Sequence, residues 1–524
     1  MSKIRSMRRY GFLASSIGVT SAAALALSPA LPAAATAARP AAGTPAVVTE
    51  PAVTAAPAAV PGSTQSLPLA PLAQDRPGDR SLAAPDQGLY RAHVRHFSLV
   101  GVIWDDPGAV LHGSVQIRTR STATGVWSDW QDVDTHNADH GADPGTAERA
   151  TGQVRGATAP LWVGDSDGVD VHVRADTGDR DADGDAATGA EPEGGAGGDV
   201  EAAAGGGAGG DVEAAAGGGA GGDAASETEG DAGGGAAEPP APLPDGLSLQ
   251  LVDPGDDPPA AGAEPEQSRT GELTEAATAA SAANAGLAPI GAAEIPELGR
   301  EDTERELLDL RGDELTEDQR AEPHIGPRPR IVTRHGWGAD ESLRARGFAY
   351  TKKVKAVFVH HTATGNNYRC SQTPSVIRGV YRYHVKSMGW RDIGYNFLVD
   401  KCGTIYEGRA GGVAKAVLGA HTMGFNSDSM GVAVIGTYSR TKPAKAAVTA
   451  VARLAAWKLG LYGMNPRGKT YLKSGGGNLY QKGENVRLNV ISGHRDGFAT
   501  DCPGRQLYGK LGTVRSSAAR YQGR

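Results

Sequence analysis

The sequence predicts a multidomain protein with long disordered linkers. We expect a C-terminal α/β domain, with a central, mostly β sheet flanked by helices, and a small N-terminal all-β, sandwich-like domain. The first observation is compositional: of 524 residues, 74 are Gly and only 5% are aromatic, so the core-forming residues must be concentrated in part of the chain. The second is order along the chain, because strand-like segments alternate with helix-like ones only after residue 327.

The charge of the chain is divided unevenly. The overall net charge is −8, but residues 327–524 carry 32 Lys and Arg against nine Asp and Glu, a net of +23, which leaves −31 for the remainder. A basic C-terminal part attached to an acidic front indicates an anionic target for the former. Charge alone does not distinguish nucleic acid from other polyanions.

Residues 1–38 are predicted to be a signal peptide. Four Lys and Arg residues fall in the first nine positions, Gly11–Leu27 is mildly apolar, and Pro32–Ala38 offers small-residue cleavage sites. A transmembrane anchor is disfavoured because Ser, Thr and Gly dilute a run that is already too short to span a bilayer. The Arg8-Arg9 pair favours twin-arginine export. We therefore expect a secreted or cell-wall protein.

Residues 39–86 are rich in Ala and Pro and show no apolar period, so we predict disorder there. Residues 87–254 are predicted to form the small β domain. Phe97–Trp104 has the composition of a strand, 114–120 alternates apolar with polar residues, and 159–163 and 168–174 are predicted to be further strands.

A low-complexity tract at 176–244 interrupts this β pattern. It holds an imperfect twelve-residue repeat, AGGDVEAAAGGG, which starts at Ala196 and again at Ala208. Such a sequence cannot bury enough apolar surface to offset its ordering entropy. An alternating strand follows at 246–253, and a lone strand is not stable. We therefore predict an insertion before the last strand of the same β domain.

Residues 255–326 are acidic and Pro/Ala-rich, and we predict a linker with one charged helix at 300–319. From 327 to 524 the composition is that of a folded domain. Strands are predicted at 354–360, 395–400, 404–409, 430–436 and 489–492, and helices at 374–386 and 443–461.

The chemistry-bearing residues lie at the ends of two of these strands. His360 and His361 end one strand, and His494 follows another, eight positions before Cys502. Two imidazoles and one thiolate form a zinc ligand set that leaves the fourth tetrahedral position open, as a hydrolase requires. Strand alternation lets only one of the paired histidines reach a single metal, and spacing does not choose between them. A structural His/Cys arrangement and a thiol hydrolase remain alternatives.

The chain has three cysteines. If Cys502 is a metal ligand, Cys370 and Cys402 remain as a pair. In an oxidising compartment they would form a disulfide, worth about 3–4 kcal/mol through the entropy of the loop that it closes. The alternative is three unrelated thiols.

Five segments resemble peptidoglycan recognition proteins, which share a fold with zinc-dependent N-acetylmuramoyl-L-alanine amidases. They are WGA (337–339), VFVHHTAT (357–364), GWRDIGYNFLVDKCGTIYEGRAG (389–411), GAHTMGFNSDSMGVAVIGTY (419–438) and GHRDGFATDCPG (493–504). The match runs through about 330–510 in the same order as in the family. It does not cover the first 320 residues.

This resemblance implies one zinc ion held by His360, His494 and Cys502. It places the catalytic tyrosine at Tyr395, and Thr500 where catalytic members carry Lys or Thr. The implied substrate groove involves His384, Trp390, Arg409, His421 and Asn426, each of which has a packing role as its alternative. Glu407 is a candidate general base, although a structural strand residue is the simpler interpretation.

The resemblance thus implies hydrolysis of the amide between N-acetylmuramic acid and L-alanine in peptidoglycan. Because non-catalytic members commonly lose a ligand and this chain keeps all three, the enzyme interpretation is favoured. A recognition module that binds without cutting and a wall-anchoring protein remain alternatives. The positive charge of residues 327–524 favours anionic wall polymers as further partners over nucleic acid, for which there is no motif. The oligomeric state is not predicted.

Overall fold

The computed structural model describes residues 62–72, 86–137, 139–176, 241–256 and 273–524. The predicted signal peptide and the twelve-residue repeats lie outside these ranges. Across the described residues, no helix is both long enough and apolar enough to cross a bilayer.

The N-terminal domain is a nine-stranded antiparallel sheet. Six of its strands follow the order β1-β9-β4-β8-β3-β2. Of the other three, β5 pairs with β8, β6 pairs with β5, and β7 pairs with β4. The first half of the long strand β8 pairs with β4, and its second half pairs with β3 on one edge and β5 on the other. The strands predicted at 97–104 and 114–120 are confirmed, and those at 159–163 and 168–174 are parts of one strand. The nine strands are β1 (Ser63–Pro68), β2 (Ala70–Pro71), β3 (Gln87–Arg91), β4 (Phe97–Trp104), β5 (Gly113–Ser121), β6 (Gln131–Val133), β7 (Gly156–Ala157), β8 (Leu161–Ala175) and β9 (Ser248–Asp253).

The strand predicted after the low-complexity tract is present as β9, where it pairs with β4 and β1. The expectation of disorder throughout 39–86 is wrong at β1 and β2. Leu67 and Leu69 there pack against the core of the β domain, and the Gln250 side-chain amide donates to Ser66 Oγ at 2.7 Å. Alternate apolar residues are enough for a short strand when a neighbouring strand offers an open edge.

Residues 273–326 are more ordered than the predicted linker with one helix. They form α1 (Glu275–Ala282), β10 (Glu294–Ile295), α2 (Arg300–Arg311) and α3 (Glu317–Ala321). Ile295 and Leu307 are fully buried in the core of the C-terminal domain. The few apolar side chains of this segment are enough to order it, because tertiary packing, rather than helix propensity, stabilises most helices in proteins.

The C-terminal domain is built on a seven-stranded mixed sheet in the order β10-β11-β14-β13-β15-β12-β18, with a separate β16-β17 hairpin. The predicted strands and both predicted helices of this domain are present within a few residues. A disulfide joins Cys370 and Cys402, which confirms the predicted pair. The remaining elements are β11 (Ile331–Val332), β12 (Ala356–His361), α4 (Thr373–Arg382), β13 (Phe397–Val399), β14 (Ile405–Glu407), β15 (Ser429–Val434), α5 (Lys445–Gly460), β16 (Lys469–Lys473), β17 (Asn485–Asn489), β18 (Ile491–Gly493), α6 (Arg505–Tyr508) and α7 (Leu511–Tyr521).

The two domains share one apolar cluster. Leu99, Trp162 and Val252 of the β domain pack with residues of α4 such as Val376 in a single buried group. Tyr383, just after α4, donates its hydroxyl hydrogen to the Thr158 backbone carbonyl of the β domain at 3.1 Å. A shared core of this kind fixes the β domain against the side of the C-terminal domain that carries α4.

Candidate metal centre

The end of β12 separates the paired histidines. This strand lies between β15 and β18, parallel to both, and all six of its residues are buried. His361 Nδ1 accepts a hydrogen bond from the Tyr438 backbone N–H at 3.3 Å. His360 points to the opposite face, toward His494 and Cys502. Of the paired histidines, His360 is therefore the one whose ring lies near His494 and Cys502.

His360, His494 and Cys502 converge on one point. His360 Nδ1 lies 3.1 Å from His494 Nδ1 and 3.7 Å from Cys502 Sγ. Zinc bonds of about 2.0–2.1 Å to nitrogen and about 2.3 Å to sulfur in a tetrahedron would put two nitrogens about 3.3 Å apart and sulfur about 3.6 Å from nitrogen. These two spacings match those of a tetrahedral zinc site, and the ligand atoms of all three residues lie within 4.8 Å of one another.

A fourth donor comes from the N-terminal domain and was missed by the sequence analysis. His140 is buried between β6 and β7 along the chain, and its ligand atom lies within 4.8 Å of those of His360, His494 and Cys502. Its Nδ1 is 2.8 Å from Asp139 Oδ1, while its Nε2 is buried with no hydrogen-bond partner among the described residues. A carboxylate that orients an imidazole in this way is typical of metal-ligating histidines.

The electrostatics of the four residues suit a cation. Burial lowers the pKa of His360 well below its ordinary value, and lowers that of His494 to about 3 despite the opposing charge of Asp139. Both imidazoles are therefore neutral, which is the form that binds metals. Burial raises the pKa of the Cys502 thiol, and a coordinated cation reverses this because a coordinating thiol is deprotonated. The donor set and the partnerless His140 Nε2 fit a bound zinc ion.

His421 lies behind His360 rather than in an open groove. It is fully buried, and its Nδ1 lies 3.3 Å from His360 Nε2 and 3.0 Å from Thr422 Oγ1. A hydrogen bond on the far nitrogen fixes the ring orientation of a ligating histidine. Its position therefore fits the orientation of His360 better than contact with substrate.

Tyr395 and His384 line the same centre. The Tyr395 ring is 5.6 Å from that of His360 and 5.8 Å from that of His140. His384 accepts a hydrogen bond from the Gly394 backbone N–H at 3.1 Å, and its ring lies 4.5 Å from that of Trp390. This bond and ring contact hold the backbone that leads into Tyr395.

Thr500 is close to the metal ligands. Its Oγ1 accepts a hydrogen bond from the Cys502 backbone N–H at 3.1 Å. Burial opposes ionisation of the nearby Asp139, but the neighbouring His140 and His494 together lower the pKa of its carboxyl. Thr500 therefore helps to position Cys502.

Three of the five predicted groove residues contact the N-terminal domain. Arg409 forms a buried ion pair with Glu148, two hydrogen bonds of 2.9 Å each. The Asn426 side chain donates to the Gly141 carbonyl at 2.8 Å, and Trp390 packs over the same glycine. A loop of the β domain therefore lies on these three residues.

Glu407 lies away from the histidines. Both of its carboxylate oxygens accept from Asn284 Nδ2 at 3.0 Å, and one accepts from the Arg334 backbone N–H at 3.2 Å. Burial raises its pKa to about 7. These contacts tie the sheet to the loop after α1, which favours the structural interpretation over a general base.

Comparison with known proteins gives matches in both domains. A family model described as N-acetylmuramoyl-L-alanine amidase matches residues 350–505, and one described as Rv3811 N-terminal galactose-binding domain-like matches residues 45–196. Peptidoglycan-recognition protein SC2 of Drosophila simulans is 30% identical over 186 residues, which are 35% of this chain and 85% of that protein.

Two further matches were found. N-acetylmuramoyl-L-alanine amidase of Homo sapiens is 32% identical over 193 residues, which are 35% of this chain and 28% of that protein. The solved structure of wild-type Drosophila PGRP-LB is 25% identical, with a TM-score of 0.28, over 35% of this chain and 92% of that chain.

Proposed function

The chain belongs to the peptidoglycan recognition protein family through its C-terminal domain, and on this premise we propose that it is a zinc-dependent amidase. The bond cleaved is the amide between N-acetylmuramic acid and L-alanine in peptidoglycan. The observation that carries this proposal is the convergence of His360, His494 and Cys502, with spacings that fit a tetrahedral zinc site. Two imidazoles and one thiolate from the C-terminal domain leave a fourth position for chemistry.

A zinc ion held there would supply a Lewis acid and an activated water. The protein's own part is to keep three donors in place in a dry, buried pocket. β12 and β18 lie side by side, with Val359 opposite Gly493, so His360 and His494 leave neighbouring strands at the same level. His421 holds the far nitrogen of His360, and Thr500 holds the backbone of Cys502.

Tyr395 is the residue we assign to stabilise the developing negative charge on the scissile carbonyl oxygen. Its ring is buried beside His360. Burial raises the pKa of its phenol well above 10, with the Cys502 and Asp139 charges acting in the same direction. The phenol is therefore protonated at neutral pH and can donate a hydrogen bond, as an oxyanion stabiliser must.

Substrate recognition is assigned to Arg409, Trp390 and Asn426. A guanidinium binds a carboxylate through two parallel hydrogen bonds, and the stem peptide of peptidoglycan carries carboxylates. Trp390 offers an apolar wall, and Asn426 offers amide groups to a peptide backbone. The proposal also includes secretion and a cell-wall location. The basic composition of residues 327–524 supports attraction to anionic wall polymers.

The second candidate function is recognition of peptidoglycan without cleavage, since the first relative is named for recognition. The test uses the full chain, because the two domains share a core. Zinc-loaded protein is incubated with peptidoglycan, with and without a chelator, and new N-terminal alanine amines are counted. Release that the chelator stops and added zinc restores supports the amidase. Bound zinc and wall binding with no release from any variant would favour recognition alone.

A further inference from the structure

Residues 139–154, here called the bridging loop, belong to the N-terminal domain but lie in the proposed amidase site. They connect β6 to β7, two strands of the β domain. Along this short stretch the chain contacts the metal ligands, the predicted groove residues and the backbone on both sides of the groove. The contacts at the metal ligands and at Arg409 take groups that the proposed reaction needs, and the remaining contacts cover the groove.

The first contact is at the metal. His140 completes a set of four buried donors with His360, His494 and Cys502. A structural zinc site is closed by four protein ligands, whereas a catalytic site keeps one position open. The Asp139 carboxylate orients His140 through Nδ1 and leaves Nε2 for the metal. With His140 bound, no position remains for water or a substrate carbonyl.

The second contact is at the arginine. Glu148 and Arg409 each expose less than a tenth of their side chain, and they make the bidentate pairing that a stem-peptide carboxylate would make. Glu148 also accepts from the Arg391 backbone N–H at 3.1 Å. The Glu148 carboxylate thus occupies the Arg409 guanidinium, the group that would bind a substrate carboxylate in the proposed groove.

The third set of contacts covers the opposite wall. Asp143 accepts hydrogen bonds from the Gly424 backbone N–H at 2.8 Å and from the Asn426 amide at 2.6 Å. The Met423 N–H donates to the Asp139 carbonyl at 3.0 Å. On the other side, a Cβ at Gly389 would collide with the Gln153 carbonyl oxygen. The loop therefore spans the groove from wall to wall.

We propose that the bridging loop is an intramolecular plug: His140 takes the open position of the zinc site, Glu148 takes Arg409, and the enzyme is latent until the loop is displaced. The proposal rests on the proposed function, because it describes control of that same site. The competing interpretation is that the loop is a permanent wall beside an open groove. The two differ in whether substrate and the loop exclude each other.

The test uses full-length protein with single substitutions. Glu148→Ala leaves Arg409 buried without its partner when the plug is closed, so it favours the open state. Asp129→Ala, an exposed acid of the same domain, is the matched control. Binding of a soluble N-acetylmuramoyl-tripeptide to the metal-free proteins is measured by calorimetry. Because apparent affinity scales with the open fraction, we expect Glu148→Ala to bind at least about tenfold more tightly than the wild type and the control.

The metal position is tested separately, by cobalt(II) substitution and titration with azide. Four protein donors leave no place for azide, so the visible spectrum of the wild type should not change. His140→Ala should show a new azide-dependent spectrum, and His136→Ala, an exposed histidine near the loop, should behave as the wild type. Thermal melting of every variant verifies that it is folded.

The outcomes separate the plug from the amidase. Tighter tripeptide binding by Glu148→Ala and an azide response confined to His140→Ala establish the plug. If these changes occur and no variant releases alanine amines, the plug stands and the hydrolysis proposal falls. If the wild type binds the tripeptide as tightly as Glu148→Ala and its cobalt spectrum responds to azide, the plug is overturned, whatever the hydrolysis assay shows.

Discussion

Glu148 of the N-terminal domain and Arg409 of the C-terminal domain are 261 positions apart and form a buried, bidentate ion pair. Such a pair costs desolvation of both charges, and breaking it by removing one partner leaves the other uncompensated. The pair therefore couples the position of the bridging loop to the state of the proposed substrate groove.

A double-mutant cycle measures this coupling. We expect Glu148→Gln and Arg409→Gln each to destabilise the full chain, and the double variant to lose much less than their sum, with a coupling of roughly 2–5 kcal/mol. Urea unfolding of the four proteins at one pH gives the value. Additive losses would mean that the two side chains do not interact in solution.

The zinc ligands are tested by metal content. We expect Cys502→Ser and His494→Ala to lose bound zinc after dialysis, because each removes a donor of the tetrahedral set. His361→Ala is the matched control, since His361 is the buried neighbour of His360 and its Nδ1 accepts from the Tyr438 backbone N–H on the other face. Full zinc content in Cys502→Ser, or equal loss in His361→Ala, would refute the ligand assignment.

Tyr395→Phe tests the oxyanion role. Removing one pre-positioned donor typically slows turnover by roughly 10²–10³-fold, and the phenyl ring preserves packing, so zinc should stay bound. The rate is measured in a Glu148→Ala background so that substrate reaches the site. Tyr350→Phe, whose hydroxyl donates to the Gly411 carbonyl at the surface, is the control. Unchanged turnover in Tyr395→Phe would remove this residue from the mechanism.

Glu407 predicts a pH dependence of stability. Burial raises its folded-state pKa to about 7, against an ordinary value of 4.5. Between pH 4.5 and pH 7 the folded state binds one more proton than the unfolded state, at Glu407. The contribution of protonated Glu407 to the free energy of unfolding is therefore fully present below about pH 4.5 and is lost as the pH rises through about 7. The loss is on the order of 3 kcal/mol.

Denaturant unfolding at pH 4.5 and pH 8, in the wild type and in Glu407→Gln, isolates this contribution from other titrations. The variant should lack that part of the decrease between the two pH values. Equal decreases in the two proteins would show that Glu407 is ionised throughout, paired with the Arg334 charge.

The sequence was sufficient to predict the strands and helices of the C-terminal domain, because local patterns and tertiary structure agree there. His360 lies at the end of a short apolar strand, and a second histidine lies eight residues before Cys502. Such residues indicate metal ligands when neighbouring parallel strands bring their ends together. His140 carried no such signal. It lies 220 positions before His360 in a polar segment without period, and the packing of β4 and β9 against α4 brings its domain beside His360, His494 and Cys502.

Two other differences have a similar cause. β1 was hidden in Ala- and Pro-rich sequence because its stability comes from pairing with β9, which lies 180 positions later. The ordered segment 273–326 looked like a linker because α2 buries few side chains, Leu307 among them. In both cases the stabilising partner is remote, and a local window does not contain it.

The measurement that tests the central claim most directly is the release of N-terminal alanine amines from peptidoglycan by full-length Glu148→Ala protein. It is made with zinc, after chelation, and after zinc is restored, beside the same protein carrying Cys502→Ser. We predict release that needs both zinc and Cys502. Release that persists after chelation or in the Cys502→Ser protein would contradict a zinc amidase, as would no release from a folded, zinc-loaded protein that binds the wall.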